Sequence, residues 1–262
     1  MTVHKGICLG LVPGSSVEEK YANAAKLGFA SVEPATLRTA DEREQHRECA
    51  EKNGVAVSSI MNSDHWGSPL SDPDPDVRKK SLDGIAQSIE SAAVLGADTV
   101  LVVPAVVNAE VSYEDAWERS YASLQEILPL AKEKGVCLAV ENVWNKFLLS
   151  PIEFADYVDG FDDEFLAAYF DVGNIVAYGI PQQWIRTLGK RLKKIHIKGF
   201  DGGTHAWVQL LAGSIDWAAV MSALREVGYD DAITAELRGE GDDQMAGIAQ
   251  ISADMDEIFA ME

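Results

Sequence analysis

Four side chains able to hold a metal ion or move a proton stand at the ends of short apolar runs. Glu141 follows Cys137-Leu-Ala-Val140, Asp171 follows Leu166-Ala-Ala-Tyr-Phe170, His196 sits in Leu192-Lys-Lys-Ile-His-Ile197, and Glu236 follows Ala232-Ile-Thr-Ala235. One imidazole with three carboxylates is an oxygen-rich ligand set of borderline hardness. It suits Mn²⁺ best, with Mg²⁺, Co²⁺ and Zn²⁺ as alternatives. Three carboxylates aimed at one space repel each other and raise their own pKa values unless a cation sits among them. No local motif ties the four together, so their meeting depends on the register of four strands. Each also has a plainer reading. Glu141 or Glu236 could cap a following helix, Asp171 could cap the turn at Val172-Gly173, and His196 could be a hydrogen-bonded core residue between Ile195 and Ile197.

Positioning them falls to a regular alternation of strand and helix signals. Strands are expected at Lys5–Gly10, Phe29–Glu33, Val55–Met61 and Thr99–Val103, before the four runs above. Helices are expected from an N-cap at Ser15 or Ser16 to Leu27, then at Asp41–Asn53, Asp76–Leu95, Tyr113–Lys134, Pro151–Val158, Pro181–Leu188, Asp216–Val227 and Gln244–Phe259. Cap residues, first-turn acids and terminal glycines mark their ends. Strict alternation implies parallel pairing with right-handed crossovers. Eight repeats in 262 residues fit one α/β domain over residues 1–262, a closed (β/α)₈ TIM barrel finished by a C-terminal amphipathic helix. No glycine-rich dinucleotide fingerprint follows the first strand, which argues against an open doubly wound sheet. In a barrel, strands five to eight would bring the four side chains to one mouth.

Bulk composition narrows the partners. With 47% hydrophobic and 8% aromatic residues the chain can bury a large aliphatic core. Its 22 basic against 42 acidic residues leave −20, which disfavours nucleic acid and anionic membranes and requires a local basic pocket for any anionic substrate. Cys8, Cys49 and Cys137 have no metal-site spacing; buried inert thiols are expected for Cys8 and Cys137. No apolar run has signal or membrane length, so a cytoplasmic location is expected.

Leu138-Ala-Val-Glu-Asn142, Tyr169-Phe-Asp-Val-Gly-Asn174, His196-Ile-Lys198 and Gly213-Ser-Ile-Asp-Trp217 resemble the xylose-isomerase-like barrel superfamily. Within it they are most similar to the sugar (phosphate) isomerases and epimerases: ketose 3-epimerases, hexulose-phosphate epimerases and hydroxypyruvate isomerases. The resemblance implies that Glu141, Asp171, His196 and Glu236 ligate a divalent metal. It also implies that Glu141 and Glu236 are the acid/base pair acting through an enediolate, on a sugar or sugar phosphate, in a possible homo-oligomer. The same superfamily includes inosose dehydratases, so loss of water is an alternative, and a non-catalytic sugar-binding barrel is another. Two departures stand out. Asn174 occupies the position of a substrate-binding His in tagatose-type 3-epimerases, and Gly199-Phe-Asp-Gly-Gly203 replaces the segment that carries their Arg. Further substrate contacts are expected near the mouth. Glu33 could bind a hydroxyl or cap a helix; His65 and Trp66 lie in a long loop that could form a lid. Trp144 and Lys146 follow Glu141, and Lys198 follows His196, where either lysine could meet a phosphate.

Overall fold

Side-chain caps set most helix starts. Ser16 accepts from the Glu19 amide at the head of α1 (Val17–Lys26), and Thr39 with Glu42 forms a capping box on α2 (Ala40–Asn53). Asp74, Ser112 and Ser150 do the same for α3 (Pro75–Leu95), α4 (Tyr113–Lys134) and α5 (Pro151–Asp159). Gly135 closes α4 at φ 67°, a conformation that costs a residue with Cβ energy. The remaining helices are α6 (Val172–Val176), α7 (Pro181–Leu188), α8 (Trp217–Glu226) and α9 (Gln244–Ala260).

The computed structural model describes residues 2–261. Its strands are β1 (His4–Cys8), β2 (Ser31–Glu33), β3 (Ala56–Val57), β4 (Ile60–Met61), β5 (Thr99–Val102), β6 (Cys137–Glu141), β7 (Leu166–Asp171), β8 (Leu192–Ile197), β9 (Gly199–Asp201), β10 (Ala206–Val208) and β11 (Ala232–Ala235). Nine of them form one parallel sheet in the order β3-β2-β1-β11-β8-β7-β6-β5-β4. The expected third strand is split. Its first piece, β3, pairs with β2, and its second, β4, pairs with β5. Pro34 lacks the N–H that would carry the β2 ladder onward, so the stave changes partner. An Ala35–Met61 bridge, with Met61 N donating to Pro34 O at 3.0 Å, then completes the ring. The expected eight-stave (β/α)₈ barrel is therefore present, with stave three in two pieces.

Two other expectations needed adjustment. The first strand ends at Cys8, where Leu9–Leu11 tightens into a 3₁₀ turn. After β8 the chain makes an antiparallel hairpin of β9 and β10 in place of an ordinary loop. Gly199 is required there, because a Cβ would lie 2.3 Å from the Gln209 carbonyl oxygen.

Alternation along the staves separates two environments. Ile7, Val32, Val100, Leu138, Ile195 and Ile233 face outward into the main core under the helices, each such side chain contributing roughly 1.5–3 kcal/mol. Leu101, Ala139 and Tyr169 form a small cluster of their own with Met61 packed against it. At the amino-terminal end of the barrel, Lys194 is 3% exposed. It bridges Asp231 at 2.6 Å and Asp98 at 3.0 Å, and Lys193 meets Asp98 at 2.5 Å. An irregularity between β7 and β8, where Tyr169 pairs with Lys194 while Ala168 pairs with Leu192, accompanies this double approach.

Partial burial works against the charged Asp98, yet Lys193 and Lys194 bring its carboxyl down to about 2 from 3.8. A folded-state pKa below the unfolded one stabilises the fold above the unfolded value and is lost as pH falls through the folded one. Acid unfolding followed by circular dichroism should therefore be shallower in Asp98→Asn between about pH 4 and pH 2. A variant curve superimposable on the parent's would remove this ion cluster from the acid sensitivity.

Candidate active site

At the carboxyl ends of the last four staves, one ligand atom from each of Glu141, Asp171, His196 and Glu236 lies within 4.8 Å of the others. Glu141 and Asp171 end β6 and β7, and His196 is the penultimate residue of β8. Glu236 follows β11, held in the ladder by its amide bond to Ile197 O at 2.9 Å. Glu141, Asp171 and His196 are buried and Glu236 is half-buried. His196 presents Nδ1 to the cluster, 3.2 Å from Glu141 and 3.7 Å from Glu236.

The other imidazole nitrogen faces the barrel interior. Nε2 lies 3.0 Å from Glu33 Oε1, and Glu33 Oε2 accepts from Ser59 Oγ at 2.5 Å and Tyr169 OH at 2.7 Å. Burial raises the Glu33 pKa, but His196, Ser59 and Tyr169 more than offset it and hold the carboxyl below its ordinary range. An ionised Glu33 accepting Nε2–H turns Nδ1 toward the cluster, and in the neutral ring Nδ1 then carries the lone pair a metal ligand needs. Glu33 is thus neither a helix cap nor a surface for substrate. Its 1% exposure places it beneath the site, as an orienting group.

Asp171 performs two tasks with two oxygens. Oδ1 accepts from the Asn174 amide at 2.7 Å and so caps α6. Oδ2 is buried and accepts no well-aligned hydrogen bond, although Lys198 Nζ lies 3.2 Å away. Asn142 fastens the same residue, exchanging bonds with the Asp171 backbone at 2.8 and 2.9 Å. Lys198 also contacts Glu236. Burial alone would favour its neutral form, but Asp171, Glu236 and Glu141 hold the ammonium above the usual lysine range. Gly173 makes room for it, since a Cβ there would fall 2.6 Å from Lys198 Cγ. Burial pushes the Glu141 carboxyl up to about 7, with Glu236 and Asp171 adding to the rise against His196.

These residues fit a divalent ion. With bonds of about 2.1 Å, two ligands on opposite sides of an ion stand about 4.2 Å apart, close to the spread observed. Asp171 Oδ2 supplies the complementary observation: a buried oxygen with no aligned hydrogen bond that already has a cation, the Lys198 ammonium, 3.2 Å away.

Above the cluster lies a cavity of about 230 Å³ bounded by Glu141, Glu236, Lys198, Asn174 and several aromatic side chains. His65, Trp66 and Trp144 all line it, as expected, and Trp207 of the hairpin joins them. Burial lowers the His65 pKa to about 4, so the ring is neutral at pH 7, and its buried Nδ1 has no partner. Asn174 reaches the wall, but its amide nitrogen donates to Asn142 O at 2.9 Å. Lys198 sits among the carboxylates, engaged in ion pairs. Lys146 is not at the cavity. Asn145 turns inward to Ala105 O at 2.7 Å and accepts from the Phe147 amide, leaving Lys146 exposed at φ 60°. The supports Ser59, Tyr169 and Asn142 were missed. Tyr169 could have been found, because it stands two residues before Asp171 on the same face of a strand.

The comparisons agree with this architecture. The profile described as xylose isomerase-like TIM barrel matches residues 21–257. An uncharacterized Methanocaldococcus jannaschii protein is 26% identical over 181 residues, 64% of this chain and 62% of that one. An L-ribulose-5-phosphate 3-epimerase of Escherichia coli is 25% identical over 244 residues, 88% of this chain and 86% of that one. A D-psicose 3-epimerase of Ruminiclostridium cellulolyticum is 25% identical over 226 residues, covering 81% and 75%. Among solved structures, an L-ribulose 3-epimerase superposes with a TM-score of 0.82 at 22% identity, over 99% of this chain and 95% of that one. By its sequence profile, its eight-stave barrel and its strand-end cluster, the chain belongs to the xylose isomerase-like TIM barrel family.

Proposed function

We propose that the protein is a divalent-metal-dependent epimerase or isomerase of ketoses or keto-sugar derivatives. The observation that carries this reading is the convergence of three carboxylates and one imidazole nitrogen in the family's barrel mouth. The relatives named as ribulose-phosphate and psicose 3-epimerases support the sugar class. Glu141, Asp171, His196 and Glu236 would hold the ion, with Mn²⁺ the best match to their mixed ligand set. When bound, such an ion stabilises negative charge developing on oxygen next to an ionising C–H bond.

The chain's own groups supply the rest. Glu141 and Glu236 enter from staves five and eight and border the same cavity. One carboxylate takes the proton beside the carbonyl and the other returns a proton from its own side, which inverts the carbon. His65 offers a neutral, unpartnered nitrogen to a substrate hydroxyl, and the indoles of Trp66 and Trp144 cover the apolar C–H face of a sugar. Glu33, Ser59 and Tyr169 keep the His196 ring in its tautomer without touching substrate.

Incubation of D-psicose or L-ribulose 5-phosphate in D₂O with Mn²⁺ should place one deuterium on the carbon beside the carbonyl, read by NMR. In Glu141→Gln that exchange should slow by about 10²–10⁴-fold; undiminished exchange would remove Glu141 from the base role. A product lighter by one water would instead assign lyase chemistry. Calorimetric titration with Mn²⁺ tests the brace below the site. Glu33→Gln should weaken the metal about 10–100-fold, and an unchanged affinity would contradict the orienting role.

A further inference from the structure

A second cavity opens beside the first. It measures about 530 Å³ and is bounded by Leu11, Val208, Gln209, Leu237, Arg238 and Glu240. These come from the turn after β1, the end of the β9–β10 hairpin and the segment after β11. Trp207, Lys198 and Glu236 line both cavities, so the two adjoin across these side chains. The inner part, at about 230 Å³, falls below the ~300–1,000 Å³ of a usual small-molecule site, whereas the outer part falls within it.

The outer lining has the chemistry of a sugar subsite. Trp207 is 48% exposed on the outer wall; Trp144, which lines the inner cavity, stacks against it with ring centres 4.9 Å apart, and Lys198 Nζ lies 5.1 Å from the Trp207 ring centre. Large indole surfaces left open beside a reaction cavity gain from covering C–H faces. Arg238, Gln209 and Glu240 offer planar donors and acceptors around the rim. Gln209 Nε2 donates to Arg238 O at 3.0 Å, tying the two wall segments together. Formal charge balances in the outer lining, where Lys198 and Arg238 face Glu236 and Glu240. A phosphate would find no local positive surplus to overcome a chain charge of −20. A neutral occupant needs none.

We propose that the outer cavity binds a neutral glycosyl group, so that the substrate is a glycosylated keto-sugar whose ketose portion occupies the inner cavity. This rests on the ketose reading above. Titration calorimetry of the full chain with Mn²⁺ in the buffer compares D-fructose with the glucosyl-fructoses isomaltulose, leucrose and turanose, and with D-fructose 6-phosphate. At least one glucosyl-fructose should bind about tenfold or more tightly than fructose. In Leu11→Trp, which fills the outer cavity, and in the exposed-site variant Arg238→Ala, that ratio should fall toward one. Equal affinity for all the glucosyl-fructoses and fructose, tightest binding of the phosphate, or a ratio untouched by both variants overturns the proposal. Deuterium exchange reports separately on the reaction. A glucosyl-fructose bound tightly through the outer cavity but never exchanged would keep the subsite and sink the epimerase reading.

Discussion

Polar atoms of three carboxylates and an imidazole are held within 4.8 Å of one another in a largely buried cluster at the barrel mouth, and the surrounding structure answers to that constraint. Like charges at that separation repel by about 3 kcal/mol per pair at an effective dielectric of about 20. Without a cation, the cluster would relieve itself by protonation or by movement. Three devices oppose movement. Asn142 pins the Asp171 backbone, Asp171 caps α6 with one oxygen, and Glu236 is held in the β11–β8 ladder by its amide. One device opposes the charge: the Lys198 ammonium, drawn over Gly173 between Asp171 and Glu236. A single positive charge leaves three carboxylates undercompensated. A divalent ion would answer more of the repulsion and would compete with Lys198 for the same oxygens.

The imidazole is governed by a second polar layer. Glu33 is buried among Ser59, Tyr169, Cys8 and His196, and every hydrogen-bond partner of its carboxylate is a donor or His196. Burying a carboxylate in this way is unfavourable unless each oxygen is satisfied. It is kept by fixing which nitrogen of His196 faces the ligands. The shared lining residues Lys198 and Glu236 link this electrostatic centre to the outer cavity, so charge at the centre and shape at the rim are coupled through the same side chains.

Much of this was legible in the chain. The bounds of α4 and α7 coincide with Tyr113–Lys134 and Pro181–Leu188 because Ser112 caps one and Pro181 starts the other. That the four strand-end side chains meet was readable because a carboxylate or an imidazole within an apolar run contradicts the pattern around it. The third stave was not, since the loss of pairing at Pro34 acts on residues 22 or more positions away. Glu33 was misread for a related reason. Its strand end was evident, but whether the side chain points into the barrel or toward the mouth depends on stagger between staves. The hairpin after β8 was hidden because Gly199 and Gly202-Gly203 announce turns without saying which strands pair. Lys198 was noticed as a cation, but its partners lie on other staves.

The central claim is that this cluster is built for one divalent ion. A crystal structure of the protein soaked in Mn²⁺, with anomalous data collected for manganese, tests it most directly. The account predicts one anomalous peak ligated by Glu141, Asp171 Oδ2, His196 Nδ1 and Glu236, with Lys198 displaced from the carboxylates. A well-ordered mouth with no peak there, and Lys198 still lying between Asp171 and Glu236, would contradict it.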